Sequence, residues 1–161
     1  MTSNITSHGR LGAIGYSGGG TLVATVVVQR PDLYGAVIPY AGVHDLLRFH
    51  LFGQGAGWQG DMGFITETTD FAVLRAISPL HNAKPASYPA TLIVTGADDV
   101  RVAPLHSYKL AAALQAAQRG AAPILLRVQS STGHGAGTQL SSQIVNDAEL
   151  LAFFAAHLRM R

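Results

Sequence analysis

The sequence predicts an α/β fold, with parallel strands covered by helices on both faces, and three observations predict it. Short apolar runs alternate with longer segments of helical period. Each short run is apolar throughout, as strands buried on both faces are. The 161 residues amount to one ordinary domain, and 48% apolar against 12% charged side chains leave ample material for a core. Disorder is excluded on the same composition.

The elements follow in order. Residues 11–15 (LGAIG) read as a buried strand that ends at glycine. A helix is predicted over 18–29, apolar through Leu22, Val23, Val26 and Val27 and stopped by Pro31. Residues 35–40 form the second strand, with Pro39 near its end. From 42 to about 70 the chain is irregular. A short helix is expected within 44–52, and 53–63 is a glycine-rich stretch that carries Trp58, the sole tryptophan. Such an insert in a compact domain is expected to be a lid or binding loop. Residues 70–77 read as helix and 91–95 as strand. A helix over 104–119 starts at Pro104 and stops before Gly120. A fourth strand over 124–128 and a helix over about 141–159 close the chain. Crossovers of the usual right hand stack these into three layers, with the site in the loops at the C-terminal strand ends.

Several function classes are excluded. The chain has no Cys, which removes disulfides, thiolate metal sites and a cysteine nucleophile. Its charge is only +2 and its Arg and Lys are scattered singly, which argues against a nucleic-acid partner. No apolar run reaches the ~18 residues of a membrane span. Residues 1–4 are polar and unlike a signal peptide, which favours a cytoplasmic location over a periplasmic or secreted one without fixing it. Neither H-x-x-x-H nor H-E-x-x-H occurs, so no metal is expected, and no cofactor either.

The sharpest motif is Gly15-Tyr16-Ser17-Gly18-Gly19, between a predicted strand and a predicted helix. G-x-S-x-G in that setting is a nucleophile elbow: the flanking glycines permit a turn tight enough to lift the hydroxyl clear of the sheet. The Gly18 N–H, at the positive end of the helix, suits an oxyanion. A Walker loop would need Lys where Thr21 stands. The G-x-G-x-x-G pattern at 55–60 follows no strand and does not read as a dinucleotide site. An ordinary tight turn that happens to hold Ser is the plain alternative.

A serine hydroxyl needs a base, and the base an acid, in the chain order Ser, Asp, His. Asp98 and Asp99 follow the 91–95 strand, and His134 follows the 124–128 strand. His8 sits in the N-terminal tail and His157 on the last helix, while His44, His50, His81 and His106 come too early in the order.

Five segments together carry a family resemblance: GYSGGG at 15–20, QRPDL at 29–33, SPLHN at 78–82, DVRVAPLHS at 99–107 and GHGAG at 133–137. The chain resembles the C-terminal part of the catalytic domain of the prolyl oligopeptidase family of serine peptidases. The resemblance implies the C-terminal half of an α/β-hydrolase fold, with about four parallel strands, and cleavage of short peptides on the carboxyl side of proline. It makes Ser17 the nucleophile, His134 the general acid/base and Asp99 the orienting carboxylate, since the family's acid stands two residues before the Arg matched by Arg101. Arg101 would bind a substrate carbonyl, and Trp58 would stack on the proline ring. Gly18 stands where the family usually has Asn, and Met62 replaces a Tyr near the specificity pocket.

The expected partner is a short peptide, with no nucleic acid and no membrane. A carboxylesterase using the same residues is the alternative within hydrolases, and an inactive fragment serving only binding or assembly is the alternative outside them. In the family the elbow follows the fifth of eight strands, and here it follows the first. Residues 1–161 are therefore expected to be a partial hydrolase domain without the family's propeller. The 11–15 strand is expected at a sheet edge, where it could pair with another chain.

Overall fold

The computed structural model describes residues 5–7, 9–135 and 139–158. Residues 1–4, His8, 136–138 (which include Ala136 and Gly137 of the GHGAG motif) and 159–161 lie outside them. In chain order the elements are β1 (Gly12–Tyr16), α1 (Gly18–Gln29), β2 (Ala36–Tyr40), α2 (Gln59–Met62), α3 (Thr68–Ile77) and α4 (Pro79–Asn82). Then come β3 (Ala90–Gly96), α5 (Leu105–Ala117), β4 (Ile124–Gln129) and α6 (Leu140–His157). The strands form one sheet, all parallel, in the order β1-β2-β3-β4. The predicted architecture is the observed one, and the predicted strands differ from it by about one residue at their ends.

Side-chain alternation along the strands explains the layers. Ile93 of β3 and Ile124 of β4 turn to one face and pack with Ala24 of α1 and Leu110, Ala111 and Leu114 of α5. Val37 of β2 joins that face against Val23 and Val27. Ala36, Ile38, Leu92 and Val94 turn to the other, where Leu150 and Phe153 of α6 cover them. Burial on both sides is why β3, buried throughout, shows no alternation of apolar and charged residues, with only Thr91 and Thr95 polar.

Pro39 sits in β2, which is flanked by strands on both sides. Its missing N–H is accommodated on the β3 side, where pairing runs through Ala36 and Val37 and resumes at Tyr40↔Val94. β1 and β4 are the sheet edges.

The long connection from β2 to β3 departs from the short helix expected over 44–52. Over those residues it makes only a 3₁₀ turn at Phe49–Leu51, because its first residues are committed to a buried polar knot. Asp45 is wholly buried, and its Oδ2 accepts from Arg48 Nε (3.1 Å) and from Lys109 Nζ of α5. The Asp45 N–H donates to His106 Nδ1 (3.2 Å). Burial acts to raise the Asp45 pKa, but the Lys109 hydrogen bond and the charges of Lys109, Arg48 and His81 outweigh it and leave the carboxyl lowered. α4, which carries the SPLHN motif, contributes His81, with Nε2 3.9 Å from Asp45 Oδ1.

Two imidazoles in this region are held neutral. Burial first, and then the neighbouring His106, push His44 down to about 3. Burial pushes His106 down to about 4, against the raising field of Asp45. Unfolded imidazoles take protons below about 6.5, whereas these two refuse them until pH 3–4. Stability contributed by their neutrality is complete above pH 6.5 and falls as pH drops toward their folded values, by about 1.4 kcal/mol per pH unit for each proton. Chemical denaturation at neutral pH and near pH 4.5 should therefore show a clear loss at the lower pH, and His44→Gln should flatten the slope. Equal stability at both pH values would contradict this reading of the knot.

Candidate active site

The C-terminal ends of the strands all open on one rim. At the end of β1 the backbone reverses through Ser17, which has φ 57° and ψ −121°. Such a positive φ is strained for a residue with a side chain and persists only where its surroundings enforce it. Here the Ser17 N–H donates to Tyr40 O (2.9 Å), and Ser17 O accepts from the Thr21 N–H (3.0 Å). A Cβ on Gly15 would stand 2.1 Å from Gly19 O, and one on Gly20 2.4 Å from Tyr40 O, so both positions demand glycine. Gly18 is different: a Cβ there meets nothing within 4 Å, so the space is open to a side chain.

Asp99 follows β3 and is 3% exposed. Its Oδ1 accepts the N–H groups of Arg101 (3.0 Å) and Val102 (2.8 Å), which turns Oδ2 toward His134 Nδ1 at 2.6 Å. The neighbouring Asp98 is exposed, and its backbone N–H donates to Thr132 O (3.1 Å), tying the β3 loop to the β4 loop. Gly96 permits this approach, since a Cβ there would lie 2.2 Å from Thr132 O. On the far side of the ring, His134 Nε2 lies 2.9 Å from Ser17 Oγ. An ionised carboxylate can only accept, so Nδ1–H donates to Asp99 and Nε2 keeps its lone pair for the Ser17 hydroxyl.

Tyr16, which sequence reasoning treated only as the variable position of the motif, backs this arrangement. Its ring centroid is 5.0 Å from both the His134 and the Tyr40 rings. Burial first, then Tyr40 and Asp99, push its phenol up to about 12, with Arg101 opposing. It is a neutral wall.

Beside Ser17 opens a cavity of about 270 Å³. Ser17, Gly18, Trp58, Met62 and Arg101 line it together with Thr21, Val43 and Val102. The glycine-rich insert thus carries Trp58 and Met62 into the cavity wall. The Arg101 guanidinium carbon lies 5.8 Å from the Trp58 ring centroid. All the residues singled out from the sequence, Ser17, Gly18, Trp58, Asp99, Arg101 and His134, therefore meet at this rim. Thr21, Val43 and Val102 had no chemical signal by which to be found.

A second Ser–His–Asp grouping has a different character. Ser78 Oγ is 2.8 Å from His81 Nδ1, whose ring faces Asp45. Ser78 and Asp45 are wholly buried and Ser78 Oγ also accepts the Leu46 N–H (3.2 Å), so no substrate can reach it. This group braces the fold. Among the described residues no cluster of three metal-ligating groups occurs.

A parallel sheet in which a strand feeds a strained serine turn directly into a helix is a mark of the α/β-hydrolase fold. Comparison with known proteins narrows this class. The sequence profile of the prolyl oligopeptidase family matches residues 1–161, and the chain belongs to that family. The prolyl endopeptidase of Elizabethkingia miricola is 40% identical over 150 residues, which take in 92% of this chain and 21% of that protein. The prolyl endopeptidase of Dictyostelium discoideum is 40% identical over 165 residues, covering 100% of this chain and 22% of that one. One of a pair of prolyl endopeptidases studied for inter-domain dynamics superposes with a TM-score of 0.95 at 37% identity, covering 99% of this chain and 24% of its own. The chain thus spans about a fifth of the length of the curated relatives it matches.

Proposed function

We propose that this chain supplies the reacting groups of a serine peptidase that hydrolyses short peptides on the carboxyl side of proline. The observation that carries the proposal is the hydrogen-bonded run Asp99–His134–Ser17, at 2.6 and 2.9 Å, opening beside an apolar cavity. Family membership and relatives named as prolyl endopeptidases support it.

In this reading Ser17 Oγ attacks the scissile carbonyl while its proton passes to His134 Nε2. The developing imidazolium is stabilised by the buried Asp99 carboxylate, which also holds the ring in the tautomer that can accept. Negative charge gathers on the carbonyl oxygen. The Gly18 N–H, first in α1 and without an intrahelical acceptor, is the donor for it, and the helix dipole adds in the same sense. His134 then returns the proton to the leaving amine, and water takes the place of serine in the second half. The indole of Trp58 and the thioether of Met62 suit the apolar pyrrolidine ring, while Arg101 can donate to a peptide carbonyl. A cation laid over an indole beside the nucleophile favours a peptide over a simple ester.

Residues 1–161 on this account are part of an α/β-hydrolase domain, and β1, at the edge of the sheet formed by the described residues, is able to pair with another strand, including that of a second copy.

A fluorophosphonate probe should label the protein at one site, and Ser17→Ala should abolish labelling; equal labelling of both proteins would falsify the assignment. For the edge, size-exclusion chromatography should show concentration-dependent association that Ile14→Lys, on exposed β1, suppresses. A monomer at every concentration would rule the pairing out.

A further inference from the structure

We propose that Gln54 is a positioning residue that sets the Arg101 guanidinium across Trp58 while leaving its charge uncompensated, so that peptide binding depends on it. The proposal rests on the peptidase reading above and concerns a residue outside the Ser17–His134–Asp99 run.

The backbone brings the two residues together first. The Gln54 N–H donates to Arg101 O (2.9 Å). Gly53, at φ 57°, makes the approach feasible, since a Cβ there would stand 2.4 Å from Arg101 O. The insert loop is therefore fastened to the β3 loop whatever side chain residue 54 carries. On that base the side chain adds a second contact: Arg101 Nη1 donates to Gln54 Oε1 at 3.2 Å. With the indole on another side at 5.8 Å, the exposed guanidinium is held from two directions.

The chemistry of the holding group matters as much as its position. Among the described residues Arg101 forms no ion pair, and both of its side-chain contacts are neutral. A carboxylate at residue 54 would hold the guanidinium more strongly and cancel its charge. An amide holds it and leaves both the charge and the remaining N–H donors for a substrate oxygen. An unheld Arg at the surface would sample many rotamers and have to be ordered at each binding event. Gln54 removes that cost in advance.

Trp58 is the sole indole of the chain and lines the same cavity, so its fluorescence reports binding without turnover. The test is titration of the 161-residue chain with N-acetylated alanyl-proline. Gln54→Ala should weaken binding by about ten-fold, the loss expected for one hydrogen bond to a charged group. Gln54→Glu should weaken it comparably despite its stronger contact, an outcome no merely structural role produces. In an Arg101→Ala background, Gln54→Ala should change binding by less than about two-fold. Binding by both Gln54 variants within about two-fold of the parent would overturn the proposal, as would an undiminished loss in the Arg101→Ala background. Failure of the parent itself to label at Ser17 and to bind the probe would instead overturn the peptidase reading, and this proposal with it.

Discussion

The site depends on one buried carboxylate. Asp99 sits at 3% exposure, where an unpaired charge would be costly, and each of its two oxygens has a donor. Two backbone N–H groups from its own loop hold one oxygen, and the imidazole of His134 meets the other. The two anchors make the orientation of the carboxylate a property of the backbone, and the carboxylate in turn dictates the tautomer of His134. What His134 can do to Ser17 is thereby decided at β3, far along the chain from the elbow.

The sheet supplies the rest by bringing loops distant in sequence to one rim. β1, β3 and β4 each end in a loop that carries one of the three side chains, and parallel pairing in the order β1-β2-β3-β4 aligns those ends. The loops are then cross-bonded: Ser17 to Tyr40, Ala41 to Val94, Ala97 to Gln129 and Asp98 to Thr132. Such ties hold a strained serine in place. The polar knot around Asp45 does the same for the insert, fastening it to α5 beneath the cavity that Trp58 and Met62 wall.

Much of this was legible in the sequence, for identifiable reasons. Strands covered on both faces are apolar without alternation, so β3 could be read directly. The elbow could be read because steric necessity at Gly15 leaves a glycine two residues before Ser17, whereas a Cβ on Gly19, the motif's second glycine, would meet nothing within 4 Å. The insert stood out from its length and its tryptophan, and it does reach the cavity wall through Trp58 and Met62, but the short elements inside it were not legible. Its 3₁₀ turns and α2 have no periodicity to detect, and the residues at 44–52 are governed by contacts with α4 and α5. Asp45, His44 and His106 are buried against the usual preference of their residue types, and only tertiary packing reveals it. Gln54 was invisible for a related reason. A neutral side chain in a glycine-rich loop acquires a role only when the fold sets it against Arg101.

Proton NMR reports the central contact directly, because a short hydrogen bond from an imidazole N–H to a carboxylate moves the shared proton far downfield of the amide region. The account predicts one such resonance, from the His134 ring, present in the parent chain and in Ser17→Ala and lost in Asp99→Asn. Its absence from the parent, or its survival when Asp99 is replaced, would contradict the claim that the buried carboxylate organises the site.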